Sequence, residues 1–297
     1  MVIPAKNEQN NLKTILTSLV NQTVQPQLVL VIDNGSIDQT PAIIKDFASK
    51  YPTIHYFHYP GDQSYSLGGK IVRIFNAGKK HLGTLGLDYD YIVKMDADIH
   101  FENDLFQKLA SRVSAENYGI ISPFSYYHQN GRIIFSSNPD WHTIGNFKIY
   151  SHQCLEAMGG LREDLGWDCA DNVIAMEQGF KTTILRDIVY EERRPIGRFS
   201  LLKGWKRQGI GAYKLRYDVL YLFLKATHDI VRPPLLLGSW FYLWGYFSAM
   251  LGRQDRILSR PQGKLLRRLF WKSLLKRLKG GNFYMMQNMR KRKQFSG

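Results

Sequence analysis

Cysteine is scarce in this chain. Cys154 and Cys169 are the two among 297 residues. That excludes a small disulfide-stapled scaffold, and two free thiols in a reducing compartment are expected. Low-complexity tracts and internal repeats are missing, which excludes collagen-like and solenoid architectures. No basic leader followed by an apolar stretch opens the sequence, because Met1 runs straight into Val2-Ile3-Pro4. The expectation is therefore a chain without a secretory signal, retained on the cytoplasmic side. Acidic residues nearly vanish from the last third, where Asp218, Asp229 and Asp255 are the three beyond residue 192.

What is present is globular in composition, 44% apolar and 13% aromatic, with a net charge of +15. Such a charge by itself suggests nucleic acid or an anionic membrane as partner. It is unevenly spread. Up to Glu192 there are 16 Lys and Arg against 22 Asp and Glu, a net of −6; beyond it there are 24 against 3, a net of +21. An acidic body thus carries a basic last third.

The first hundred residues alternate between two periodicities. Leu12, Ile15, Leu16, Leu19 and Val20 recur at helical spacing. Leu28 to Ile32 is a continuous apolar run suited to a strand buried on both faces. Thr40-Pro41 has the form of an N-cap followed by proline at the first helical position. A third strand is expected at Ile54–His58, a third helix at Lys70–Leu82 and a fourth strand at Tyr91–Met95. Alternation of this kind predicts an α/β fold with a mainly parallel, Rossmann-like sheet and helices on both faces.

Polar residues gather where these strands end: Pro4 to Glu8, Asp33 to Asp38, and Asp96 with Asp98. Ligands of open α/β sheets bind outside the carboxyl ends of strands, so the three clusters should line one crevice. Two carboxylates two residues apart at a strand end suit a hard cation such as Mg²⁺ or Mn²⁺, completed by substrate phosphates.

Val2-Ile3-Pro4-Ala5-Lys6-Asn7-Glu8, Val31 to Thr40, and Lys94-Met95-Asp96-Ala97-Asp98 resemble the successive signatures of family 2 glycosyltransferases. The resemblance covers about residues 1 to 215. It implies the A-type glycosyltransferase fold and a nucleotide-diphosphate sugar as donor. Pro4, Ala5, Glu8 and Asp33 would hold the nucleoside. Asp96 would meet ribose or metal, and Asp98 the divalent ion. Asn34 stands where the family usually has Asp. The family's first strand usually begins a few residues earlier than Val2.

Sugar transfer also needs a general base for the acceptor hydroxyl. Gly166-Trp167-Asp168-Cys169-Ala170-Asp171-Asn172 resembles the family's acceptor segment. By that resemblance Asp171 is the base, with Asp168, one helical turn earlier, as rival. Trp167 is either core or a platform for an acceptor sugar. Glu191 and Glu192 stand where relatives often place a metal-binding His, and His142 and His152 are alternatives. Lys203 to Gly209 resembles a basic lid segment whose Arg207 would clamp the diphosphate. The Gln-x-x-Arg-Trp signature of processive synthases is absent, so transfer of a single sugar is expected.

The chain beyond 215 reads as a helical extension, residues 216–297. Leu235 to Leu251 is a 17-residue apolar run rich in Trp, Tyr and Phe. A helix of that length falls slightly short of a bilayer core of roughly 30 Å, and its aromatics lie mid-run rather than at the ends. An interfacial or re-entrant helix, a buried helix and a true span are the readings, the first preferred. Lys264, Arg268, Lys272, Lys276 and Lys279 form a basic stripe opposite Leu266, Leu269, Phe270 and Leu274. Together these predict peripheral or monotopic attachment to the cytoplasmic face of an anionic membrane. The expected enzyme is an inverting, metal-dependent transferase acting on a glycan or lipid-linked acceptor. A polyprenyl-phosphate sugar synthase is the rival enzyme. Nucleic-acid binding is disfavoured because no recognition motif appears.

Overall fold

The computed structural model describes residues 1–60, 68–115, 118–129, 131–193, 201–231 and 234–278. The chain begins as the periodicities predict: β1 (Val2–Ala5), α1 (Gln9–Val20), β2 (Val29–Asp33), α2 (Thr40–Lys50), β3 (Ile54–His58), α3 (Gly69–Thr84) and β4 (Tyr91–Met95). There follow β5 (Ile99–His100), α4 (Leu105–Ala115), β6 (Tyr118–Gln129), β7 (Arg132–Phe135), β8 (Phe147–Ser151), α5 (His152–Ala157), α6 (Trp167–Glu177) and β9 (Lys181–Glu192). Four more helices complete the described chain: α7 (Leu201–Lys214), α8 (Val219–His228), α9 (Leu236–Leu251) and α10 (Arg260–Leu278).

The nine strands form one sheet in the order β3-β2-β1-β4-β8-β6-β9-β5, with β7 hairpinned onto β6. The first four are parallel, as expected; β8 then joins both β4 and β6 antiparallel. The sheet is therefore mixed rather than mainly parallel. The second half was not legible as strands because it lacks the strand–helix alternation of the first. The expectation of helices on both faces holds. Val29 and Val31 enter the core shared with α1 and α2, whereas Leu30 and Ile32 enter the core shared with α3, α5 and α6. Alternate side chains of a strand face opposite ways, so a strand covered on both sides must be apolar throughout.

Strand order reverses at β1. The Met1 and Ala5 carbonyls accept from Leu30 and Asn34 of the β2 side, so the even residues of β1 face β4. Pro4 has no N–H to offer there, and pairing with β4 is confined to Val2 opposite Lys94. The two strands separate just past this point and open a crevice at their carboxyl ends.

Thr40 does not cap α2. Its N–H donates to Asp38 Oδ1 at 3.0 Å, and its own buried Oγ1 accepts from the Glu8 N–H at 2.7 Å. The cysteines are free and buried, as expected.

The last third does not stand apart from the body. Leu266 and Phe270 of α10 join the same core as Leu215, Trp167 and Val173. Phe270 packs against Trp141, Tyr217 and Tyr221. The apolar side of the basic helix is thus used internally, and its stripe Lys264, Arg268, Lys272 and Lys276 faces solvent. Lys279 and the Arg290–Lys293 tail lie outside the described residues. No helix among the described residues is long and apolar enough to cross a membrane.

Helices α7 and α9 touch backbone to backbone. A Cβ on Gly209 would lie 1.9 Å from the Tyr242 carbonyl oxygen, and one on Gly245 would lie 2.1 Å from that of Lys206. Neither neighbour is a side chain that can swing away, so the helices would have to part. Overpacking of this kind costs about 1–3 kcal/mol. Gly209→Ala and Gly245→Ala should each lower the melting temperature by several degrees. Gly83→Ala, in a helix with nothing near its Cβ, should leave it unchanged or raise it.

Candidate active site

Three strand ends converge at the crevice. The loops after β1 and β2 are stitched together there. Asn7, in the left-handed region at φ 54, donates its N–H to Ser36 Oγ at 3.0 Å and accepts from the Ile37 N–H at 2.9 Å. Asp33 pairs in register with Ala5, and its buried carboxylate accepts from the Ser36 N–H at 3.0 Å. Its other oxygen lies 3.2 Å from His58 Nδ1. Glu8 is buried and accepts from Asn11 Nδ2 at 3.1 Å. Pro4, Ala5, Glu8 and Asp33 are thus brought to one floor. His58 was missed from sequence because nothing near it marks a ligand site.

On the other side of the crevice stands the Asp96-Ala97-Asp98 segment. Lys94 on β4 is buried, and its ammonium donates to Asp96 Oδ1 at 2.5 Å and to the Gly145 carbonyl at 2.8 Å. Burial first, then the charges of Asp96 and Glu192, push the Asp98 carboxyl up to about 6, against its backbone hydrogen bond and Lys94. Glu192 comes close because β9 pairs it with Ile99 of β5.

Among the described residues no group of three His, Cys, Asp or Glu converges on a metal position. His152 lies with Tyr89 beyond the far end of β4, and burial lowers His142 to about 4. Asp96 and Asp98, two residues apart at the end of β4 with Glu192 close by, are oxygen donors of the kind a hard cation takes when phosphate completes its shell.

The acceptor segment sets its residues in different surroundings. Asp171, expected as base, is 3% exposed. Its oxygens accept from Lys148 Nζ at 2.8 and 2.7 Å, from the Tyr150 hydroxyl at 2.7 Å, and from the Asn172 N–H and Nδ2 at 2.7 and 2.9 Å. Burial is the main cause raising its pKa, with Lys148 and Tyr150 opposing. A carboxylate enclosed on both oxygens has no open lone pair for an acceptor proton. Trp167, read as either core or a platform for an acceptor sugar, is 8% exposed. Its ring sits 5.4 Å from each of the Lys94 and Lys148 ammonium groups.

Asp168 is placed differently. It stands in the first turn of α6, behind Gly166 at φ +88, where the helix dipole favours negative charge. Its carbonyl is held by Lys148 Nζ at 2.6 Å and by Asn172 Nδ2 at 2.8 Å. Its half-buried carboxylate makes no side-chain hydrogen bond among the described residues and rests against Gly145, where a Cβ would come within 3.1 Å of Asp168 Cβ and 3.5 Å of Oδ2. Gly145 therefore lies between the Lys94–Asp96 pair, which its carbonyl joins, and the Asp168 side chain.

Lys203–Gly209, expected as a lid, is helical and part of α7. One face of α7 packs on the segment before α6: Gly211 lies near Leu165, and Lys214 pairs with Asp164 at 2.8 Å. Arg207, four and seven residues earlier, shares that face. Arg194 and Pro195 lie outside the described residues.

A sequence profile for "Glycosyl transferase family 2" matches residues 1–162. The chain belongs to glycosyl transferase family 2. Glycosyltransferase AglD of Haloferax volcanii is 25% identical over 61% of this chain and 31% of its own length. The 4,4'-diaponeurosporenoate glycosyltransferase of Staphylococcus haemolyticus is 28% identical over 56% and 37%. The chain spans about a third of the length of the curated relatives it matches. The fold is that of mannosyltransferase PcManGT from Pyrobaculum calidifontis, solved with GDP-Man and Mn²⁺, at a TM-score of 0.54, 18% identity and coverage of 95% of this chain and 82% of that one. It is likewise that of S. aureus TarS 1–349 with UDP-GlcNAc, at 0.53, 17%, 88% and 77%.

Two outcomes follow from these environments. Lys148→Met strands the buried Asp171 charge and should cost about 3–5 kcal/mol in denaturant unfolding, whereas Asp168→Asn should leave stability unchanged. Asp98 binds its proton more tightly folded than unfolded, so its contribution to stability falls as pH rises from about 4 to 6. In chelator at pH 7.5, Asp98→Asn should therefore melt higher than the parent and be more stable to denaturant by an amount on the order of 3 kcal/mol.

Proposed function

We propose that this chain transfers one sugar from a nucleotide-diphosphate donor to an acceptor hydroxyl, with inversion at the anomeric carbon. The observation carrying this reading is the uncommitted Asp168 carboxylate set across Gly145 from the Asp96 and Asp98 pair. Pro4, Ala5, Glu8 and Asp33 bind the nucleoside, on the floor formed by the β1 and β2 loops. The family membership and the nucleotide sugars held by structures of the same fold support this placement.

Asp96 and Asp98 would hold Mg²⁺ or Mn²⁺ beside the donor diphosphate, where the cation would supply positive charge against that of the departing nucleoside diphosphate. Arg207 approaches the same diphosphate from α7. Asp168 accepts the acceptor's hydroxyl proton as that oxygen bonds to the anomeric carbon and the carbon–phosphate oxygen bond breaks. A lone base on the acceptor side supports one displacement, hence inversion. Lys148 and Asp171 position this base through its main chain. The acceptor is a glycan or a lipid-linked sugar, and each encounter adds one residue.

Asp168→Asn should lower turnover about 10²–10⁴-fold while the rise in melting temperature caused by UDP- or GDP-sugar with Mn²⁺ is kept. Near-normal turnover in that variant would overturn the assignment and favour a phosphate acceptor, which needs no base.

A further inference from the structure

Helix α9 is packed inside out. Toward α7 and α8 it buries Gly238, Ser239, Tyr242, Gly245, Tyr246 and Ala249. Both its Trp residues and most of its Leu residues point away, Leu243 excepted: Trp240 is 63% exposed, Trp244 50% and Leu236 67%. A helix at an ordinary protein surface does the reverse. The neighbouring helix α8 adds Leu220, Phe223 and Leu224, all exposed. Of the eighteen large apolar side chains exposed among the described residues, twelve fall between 219 and 251. Scattered exposed apolar residues need no explanation, but such a concentration marks a binding surface.

Charge selects the occupant. Asp229, the acid nearest this face, is buried beneath Lys225 and His228, at 2.7 and 2.9 Å. Asp218 is used to cap α8 and to accept from Trp271 Nε1. Cations stand at the rim: the Lys206 ammonium lies 5.3 Å over the Trp244 ring, and the Lys225 ammonium 5.6 Å over the Tyr242 ring. Long basic side chains beside aromatic rings, around an apolar centre, match a lipid surface with anionic headgroups. A second copy of this chain would bring two strongly basic regions together. Nucleic acid offers no partner for the Leu and Trp centre.

We infer that the outer face of α8 and α9 inserts its apolar side chains into the headgroup region of an anionic bilayer. The basic stripe of α10 contributes attraction from solvent rather than insertion, because its apolar side is already packed against the body. This docking does not depend on the sugar-transfer reading.

The test is flotation of the full chain with vesicles of phosphatidylcholine, with and without about one third phosphatidylglycerol. The chain should float with the anionic vesicles, and brominated acyl chains should quench its tryptophan emission. Trp240→Ser with Trp244→Ser should weaken flotation at least about tenfold and abolish most of the quenching, with donor-dependent melting shifts unchanged. Both positions are at least half exposed, so the fold should survive. Quenching of the parent protein needs no variant at all. Absence of flotation, flotation without quenching, a dimer that the double variant dissociates, or preferential capture by DNA would each overturn the inference.

Discussion

Two buried lysines set the terms for the rest of the structure. Lys94 on β4 and Lys148 on β8 are directly opposite one another in the antiparallel register, so they share a face. Like charges in that arrangement repel, and neither has water to screen it. The repulsion is relieved by giving each ammonium its own carboxylate, Asp96 for Lys94 and Asp171 for Lys148, and by the ring of Trp167 facing both. Each of those partners brings a segment with it. Asp96 carries the acidic motif at the end of β4. Asp171 and Trp167 carry the start of α6. The pair of lysines thus fixes the distance between the two chemical halves of the crevice.

The change of direction at β8 serves this arrangement. A parallel neighbour of β4 would reach the site with its carboxyl end and contribute one more loop. An antiparallel β8 runs away from the site, so the loop before it, Thr143 to Asn146, enters the crevice instead. Gly145 of that loop offers its carbonyl to Lys94 and its bare Cα to Asp168. Asn146 accepts the Asp96 N–H on its carbonyl. A side chain at 145 would occupy the space that the Asp168 carboxylate now fills.

The first half of the fold and the polar strand ends that line its crevice were legible in the sequence because their signals are local. Continuous apolar strands, one-faced helices and polar strand ends each lie within a dozen residues. The acceptor side was legible only as a segment. Deciding between Asp171 and Asp168 required knowing what opposes each, and Lys148 lies about twenty residues away on another element. A clue did exist: Lys94 and Lys148 each interrupt an apolar strand, Tyr-Ile-Val-Lys-Met and Phe-Lys-Ile-Tyr-Ser. A charge inside such a strand must find a buried counter-charge. Trp167 was ambiguous for the same reason, since a ring between two ammonium groups and a ring under a sugar share one sequence.

The two faces of α7 join the chemistry to the basic third of the chain. One face holds Asp164 and Leu165, immediately before the helix that carries Asp168. The other meets α9 so closely that glycine is required at Gly209 and Gly245. Backbone contact leaves no compressible side-chain layer between the helices, so α7 and α9 move as one body. Whatever surface orients α9 therefore also orients the wall of the crevice that carries Asp168. The +15 charge of the whole chain conceals this division. The body is acidic, with its carboxylates held by lysines or left open at the crevice. The basic excess belongs to the stretch of chain that also carries α9 and its outward tryptophans, and the close contact of α7 with α9 ties that stretch to the wall of the crevice.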